Sequence, residues 1–360
     1  MDLVKQLREN PFALAPMAGI TDHSFRTFMK KRGASVVVTE LVSATGIEYK
    51  SQRTLDLMSF DEVQRPIGIQ LFGEEPEVLA RAAQVAQEMG ADFVDLNFGC
   101  PVPKVVKKGA GSAMLRDLPQ LTAVLRATKT AIQIPLTIKI RTGWDQNSRN
   151  ASEVCHIAYN EGVTWVAIHG RTRAQGYSGD ADWNFIADVK AKSKIPILGN
   201  GDINSAHTAV RRLKESGVDG VLIGRGALKN PYIFLESMNL WKALKNRDSA
   251  VRDYSLDQIG SCGQQSHRLP PVTRHYVEIF EDLKSCFMER CDDRIVQIQL
   301  KKFAGWFSAG YPESSAFRKN VFQIQSTDEL VHIAKEYFAK VDSAVQEDTS
   351  NEPFLMGGHG

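Results

Sequence analysis

The chain has 360 residues, 43% of them hydrophobic, enough to fill one large core and a smaller one. Its 44 Lys and Arg against 42 Asp and Glu leave a net charge of +2, so global charge neither demands nor excludes a polyanionic partner. The N-terminus lacks a signal-peptide core, no apolar run approaches the ~20 residues of a membrane span, and five irregularly spaced cysteines are no disulfide framework, so a cytoplasmic protein without a membrane partner is expected.

Short apolar, β-branched runs that end in Gly or a polar residue recur over 12–19, 36–43, 66–73, 93–100, 136–143, 165–172, 195–202 and 220–227. Helical spacing lies between them, over 77–89, 118–130, 152–161, 181–192 and 205–216, with Gly90 and Gly217 placed as C-caps. Alternating units of this kind predict an α/β fold, a (β/α)8 TIM barrel over 1–245, with a doubly wound open sheet as the alternative. Ala15-Pro16-Met17-Ala18-Gly19 is not the glycine fingerprint that such a sheet carries after its first strand. Residues 246–271, rich in Ser, Gly, Gln and Asp and holding Pro270-Pro271, read as a linker or insertion. Over 272–344 apolar residues recur at helical spacing, as in Tyr276, Ile279, Phe280 and Leu283, which predicts a small C-terminal helical domain. The tail over 345–360 is polar and glycine-rich and reads as disordered.

In a parallel barrel the C-terminal ends of the strands form the catalytic face, so the residues that end each run are the candidates. Gln70 ends the third run among apolar neighbours. The fourth stops on Cys100 at a Gly-Cys-Pro turn, with Asn97 on the opposite face unless Gly99 and Pro101 redirect the backbone. Taken alone, Cys100 is as readily a small buried hydrophobe. In the fifth run Thr137, Lys139 and Arg141 share a face, and a lysine inside a buried strand requires an acid such as Glu40 or Asp95, or an electron-rich ligand. His169 and Arg171 share a face of the sixth. The last two runs end in Gly199-Asn200-Gly201-Asp202 and Gly224-Arg225-Gly226, where barrel loops commonly hold a phosphate. Glycine lets backbone N–H groups approach the anion, and Arg225 can add a bidentate contact. A phosphate clamp, a buried lysine and a thiol together fit flavin mononucleotide (FMN) across the mouth, with the thiol as acid. No metal site is expected.

The motifs Ala15-Pro16-Met17-Ala18-Gly19-Ile20-Thr21-Asp22, Leu96-Asn97-Phe98-Gly99-Cys100-Pro101, Lys139-Ile140-Arg141-Thr142-Gly143-Trp144, His169-Gly170-Arg171-Thr172-Arg173, Gly199-Asn200-Gly201-Asp202 and Gly224-Arg225 resemble those of the tRNA-dihydrouridine synthases. The run 104–115 most resembles the bacterial B-type subgroup. The resemblance implies a flavin-dependent barrel followed by a helical tRNA-binding domain, reducing D-loop uridines of tRNA to 5,6-dihydrouridine. It implies that NADPH reduces FMN, that hydride passes to carbon 6 of uracil, and that Cys100 gives a proton to carbon 5. Lys139 and Arg141 nearby oppose the protonated thiol that this role needs.

Carried over by position, the flavin contacts are Pro16, Met17, Ala18, Gln70, Lys139, His169, Asn200, Gly201, Asp202, Gly224 and Arg225. Asn97, Lys139, Arg141 and His169 would hold the uracil, which must be turned out of its stack. For the tRNA backbone, Lys104 beside Cys100, with Lys107 and Lys108, and Lys301 and Lys302 among the cations of 294–319, are the expected contacts. No protein partner is implied. Two other readings stay open, a flavin barrel reducing a free pyrimidine and a tRNA-binding folding chaperone that holds flavin vestigially.

Overall fold

The computed structural model describes residues 2–247 and 276–343, and in it the apolar runs form one sheet of nine parallel strands. These are β1 (Phe12–Leu14), β2 (Val37–Val38), β3 (Val42–Ser43), β4 (Ile67–Phe72), β5 (Phe93–Phe98), β6 (Leu136–Arg141), β7 (Val166–His169), β8 (Ile197–Asn200) and β9 (Gly220–Ile223). Their order is β1-β9-β8-β7-β6-β5-β4-β2, with β3 also on β4. Leu14 N donating to Val36 O (3.0 Å) and Ser35 N to Phe12 O (2.9 Å) close the ring. The strands read as continuous apolar runs because helices cover their outer face while side chains fill the inside.

The second run, expected as one strand over 36–43, is two, paired to β4 through Val37 with Ile67 and Val42 with Leu71. Between them the Thr39 hydroxyl, rather than a carbonyl, takes the Gln70 N–H at 3.0 Å. Elsewhere the helices lie where the spacing placed them, for example Pro76–Glu88, Leu118–Ala131 and Ala206–Ser216. The last ends on Gly217 at φ +66°, the left-handed cap that glycine supplies.

Alternate residues of each strand face inward. At the N-terminal end of the barrel this face is apolar, with Ala13, Phe93, Trp165, Ala167 and Leu198 clustering around Leu3 and Leu7 of the helix Leu3–Glu9. Phe93 meets Trp165 edge-on at 5.4 Å. The same face turns polar toward the C-terminal end, so the bottom is plugged and the top is where chemistry gathers.

Among the described residues four helices follow, Tyr276–Met288, Asp293–Phe307, Ser314–Gln323 and Thr327–Ser343. Their core joins the barrel's, Phe303 stacking on Phe25 at 5.3 Å, and the ion pairs Arg32–Asp282 (2.6 Å) and Arg290–Asp61 (2.7 Å) flank the seam. The helix before them, Ile233–Arg247, runs past residue 245. The linker expected over 246–271 lies, from 248 on, outside the described residues, as does the tail over 345–360.

Candidate active site at the barrel mouth

Strand register sets the polar residues in rows. Gln70 pairs with Asp95 and Asp95 with Thr137, while two residues further on Asn97 pairs with Lys139. Arg141 pairs with His169 and His169 with Asn200. Residues far apart in sequence thus face one another inside the barrel mouth.

The first row is a hydrogen-bond relay that ends on Cys100. Asp95, fully enclosed, accepts from the Thr137 hydroxyl (2.6 Å) and from Gln70 Nε2 (2.7 Å). Gln70 Oε1 accepts from Asn97 Nδ2 (2.9 Å), and that fixes Asn97 Oδ1 on the N–H groups of Gly99 (3.1 Å) and Cys100 (2.8 Å). The Asn97 amide therefore closes the Gly-Cys-Pro turn, which brings the thiol to the strand end although odd spacing alone sets it on the other face. Ser112 holds the far side, its N and Oγ both donating to Cys100 O.

Burial pushes the Cys100 thiol up, and this outweighs the nearby Arg141 and Lys139 charges that pull it down. The thiol is therefore protonated at neutral pH, which removes the conflict that the neighbouring cations pose. Lys139 is lowered to about 8, first by burial and then by Arg141, with Asp95 and Cys100 opposing. Among the described residues its ammonium makes no ion pair. Asp95 is held by Gln70 and Thr137, and Glu40 turns to the N–H of Gly19. Burial and the cations Lys139, Arg141, Arg171 and Arg225 hold His169 well below its ordinary value, so its ring is neutral.

Arg141 is partly committed as a strap. Its Nε donates to Gly99 O (2.9 Å) and its Nη1 to Thr172 O (2.9 Å) and Gly176 O (2.7 Å), tying together the loops after β5 and β7. Only Nη2 is left for a ligand. Arg171 grips Asp202 with two parallel bonds (2.9 and 2.8 Å), and Asp202 also accepts from Ala181 N (2.7 Å). Asp202 thus shapes its loop rather than presenting a bare carboxylate.

The clamp loops are built for close approach. Gly201 has φ +126°, and a Cβ there would lie 2.5 Å from Ala181 Cβ and 3.1 Å from the His169 ring. Among the described residues the N–H groups of Gly201, Asp202, Gly224 and Arg225 donate to no backbone carbonyl. Arg225 Nη2 stands 3.5 Å from Asp202 Oδ1, and Asn200 Nδ2 bonds Leu222 O (2.8 Å). Met17, on the loop with Pro16 and exposed Ala18, brings its Sδ to Gly224, so the first and last loops meet.

These loops match a known family. The dihydrouridine synthase family model covers residues 13–343. The chain belongs to the dihydrouridine synthase family. Similar relatives include the probable tRNA-dihydrouridine synthase of Rickettsia conorii, 37% identical over 85% of this chain and 86% of that protein. Another is tRNA-dihydrouridine synthase B of Pseudomonas aeruginosa, 35% identical over 92% and 93%. Among solved structures, 6-hydroxypseudooxynicotine amine oxidase from Pseudomonas geniculata N1 has the same barrel fold, with a TM-score of 0.50 and 14% identity, covering 65% of this chain and 48% of its own longer one.

In this dihydrouridine synthase family member the barrel mouth brings together Met17, Gln70, Asn97, Cys100, Lys139, Arg141, His169, Asn200 and the two clamp loops. Lys104 is exposed on the short helix Pro103–Val106 after Cys100. Lys301 and Lys302 lie on the helix Asp293–Phe307. Lys301 Nζ bonds the carbonyls of Phe322 and Ile324 at the end of the helix Ser314–Gln323, and Lys302 contributes to the field at Asp22. Tyr177 escaped the sequence reading. Its exposed ring overhangs the mouth, 6.4 Å from His169, with Arg141 and Arg225 at 5.8 and 5.0 Å. An aromatic in the polar loop after His169-Gly170-Arg171 was the signal available.

Proposed function

We propose that this protein is an FMN- and NADPH-dependent tRNA-dihydrouridine synthase acting on D-loop uridines. The observation that carries the reading is the half-buried Lys139 ammonium, without an ion pair among the described residues, in register with Asn97 and beside a protonated Cys100. A cation largely withdrawn from water in this way calls for an electron-rich partner, and the family membership supplies one.

The residues present fit FMN. The glycine cradle of Gly201 and Gly224 offers unengaged N–H groups to a phosphate, with Arg225, Met17 and His169 alongside, and in this reading Pro16, Ala18, Gln70 and Asn200 make the remaining flavin contacts. When bound, FMN supplies the hydride, taken from NADPH, that goes to carbon 6 of uracil.

Lys139 stabilises negative charge at the mouth, and a neutral His169 avoids adding a competing cation beside it. Asn97, Arg141 and His169 orient the uracil. The Cys100 S–H bond breaks as its proton goes to carbon 5, and the thiolate regains a proton from water. Hydride plus proton saturate the 5,6 double bond, so atoms and electrons balance. The helical region and Lys104, Lys107 and Lys108 bind the tRNA. A reducing cytoplasm suits a free catalytic thiol.

The purified protein is expected to show flavin absorption. Cys100→Ala should keep the flavin and NADPH oxidation but lose uridine reduction by ~100-fold or more. A colourless protein that FMN cannot reconstitute sinks the cofactor, and a fully active Cys100→Ala moves the acid elsewhere.

A further inference from the structure

Beside the mouth, between the loops after β5 and β6, lies a second cavity of about 540 Å³, with Leu115, Arg116, Trp144, Asp145, Ser148 and Asn150 in its lining. It is built from the elements that carry the thiol and the lysine. The short helix Gly111–Arg116 starts where Ser112 bonds Cys100 O, and Trp144 lies three residues beyond the end of β6. At ~2.0 Å per residue of 3-10 helix, Arg116 lies on the order of 10 Å from that anchor.

The loop is rigidly held. A Cβ at Gly143 would stand 2.2 Å from Ser148 O, so only glycine lets the chain fold back there. Arg173 N donates to Gly143 O and Ala174 N to Trp144 O, both at 2.9 Å, which ties the loop to the one after β7.

Its chemistry is that of a nucleotide site. The guanidinium carbons of Arg116 and Arg173 lie 4.8 and 4.4 Å from the Trp144 ring centroid. Among the described residues neither forms an ion pair, although Asp145 lines the cavity beside Arg116; Arg173, outside the lining, has its Nε buried without a partner. Asp145 Oδ1 accepts from Asn147 N (3.0 Å) and Ser148 Oγ (2.8 Å). Asn150 Nδ2 donates to Leu115 O (2.7 Å), while its Oδ1 is buried with no partner. The cavity thus offers the unpaired Arg116 for a phosphate, the Arg116–Trp144 cation–π pair as a platform for a ring and the Asp145 carboxylate as an acceptor for hydroxyl or amide donors.

We propose that this cavity holds a nucleotide of the RNA strand adjoining the one presented to Cys100, which rests on the reading that the substrate is tRNA. A ribonucleotide brings one phosphate charge and a 2′-hydroxyl that can donate to the Asp145 carboxylate. A nicotinamide dinucleotide phosphate brings several negative charges against Asp145, and its reactive ring must lie over the mouth. The RNA strand is therefore the occupant that the charges favour.

The test uses holoenzyme and a tRNA substrate with Arg116→Glu and, separately, Ser148→Trp, both exposed side chains whose exchange leaves the barrel core intact. The KM for tRNA should rise about tenfold in each, with kcat changed less than twofold and flavin content and NADPH oxidation unchanged. An unchanged KM for tRNA in both variants overturns the proposal, as does a raised KM for NADPH with that for tRNA unmoved. Wild-type holoenzyme that binds no tRNA overturns instead the activity on which the proposal rests, a result read before any variant is made.

Discussion

Cys100 is placed by a relay that begins at Thr137 and Asp95, deeper in the barrel than the thiol itself. Thr137, Asp95, Gln70 and Asn97 form a directional chain in which each amide has one orientation, because Asp95 accepts at both oxygens. Burial raises the Asp95 carboxyl, while the Gln70 and Thr137 hydrogen bonds pull it down. Asp95→Asn replaces one acceptor with a donor facing the Gln70 NH2. The Gln70 amide must turn, Asn97 follows, and the Cys100 N–H loses its acceptor. Uridine reduction should fall by ~10–100-fold while NADPH oxidation changes little, with a stability cost of about 1–3 kcal/mol for the mismatched pair. If both half-reactions fall together, Asp95 serves the cofactor instead. The sequence singled out Gln70, Asn97 and Thr137 one by one, and Asp95 as a carboxylate near Lys139, but not that they join in one relay. Its partners come from three strands, and only their register makes them neighbours.

Strands and most barrel helices were legible, because buried parallel strands read as apolar runs and their helices carry caps such as Asp117, Asp182 and Ser205. The split of the second run was not, since a Thr39 hydroxyl standing in for a ladder carbonyl leaves no mark in apolar periodicity. Lys301 shows the same limit for function. In sequence it belongs to a basic stretch, but on the helix Asp293–Phe307 it reaches across to the last carbonyls of Ser314–Gln323, where a cation stabilises a helix end. Lys301→Met should therefore lower stability by about 1 kcal/mol and the Tm by a few °C, leaving the salt dependence of tRNA binding unchanged. A flattened salt slope at unchanged Tm would return the amine to the RNA.

Across the assembled barrel and helical region, charge is arranged by location and not by excess. The seam between them is ionically paired, through Arg32–Asp282 and Arg290–Asp61, and its aromatic contact of Phe25 with Phe303 makes one continuous core. The rim beyond Cys100 is different. Lys104, Lys107 and Lys108 are exposed and, among the described residues, form no ion pair, and Arg116 and Arg173 continue this unpaired set around the mouth. A net charge of +2 hides it, because 42 acids nearly equal the 44 Lys and Arg over the whole chain. Each exposed lysine that neutralises a phosphate releases counterions, so its loss lowers the steepness of log affinity against log salt by about 0.7–0.9. Replacing all three lysines by alanine should cut that slope by about 2, weaken tRNA binding most at low salt, and leave flavin content intact. A slope that stays unchanged while affinity holds would remove the rim from the RNA path and leave the helical region to carry the substrate alone.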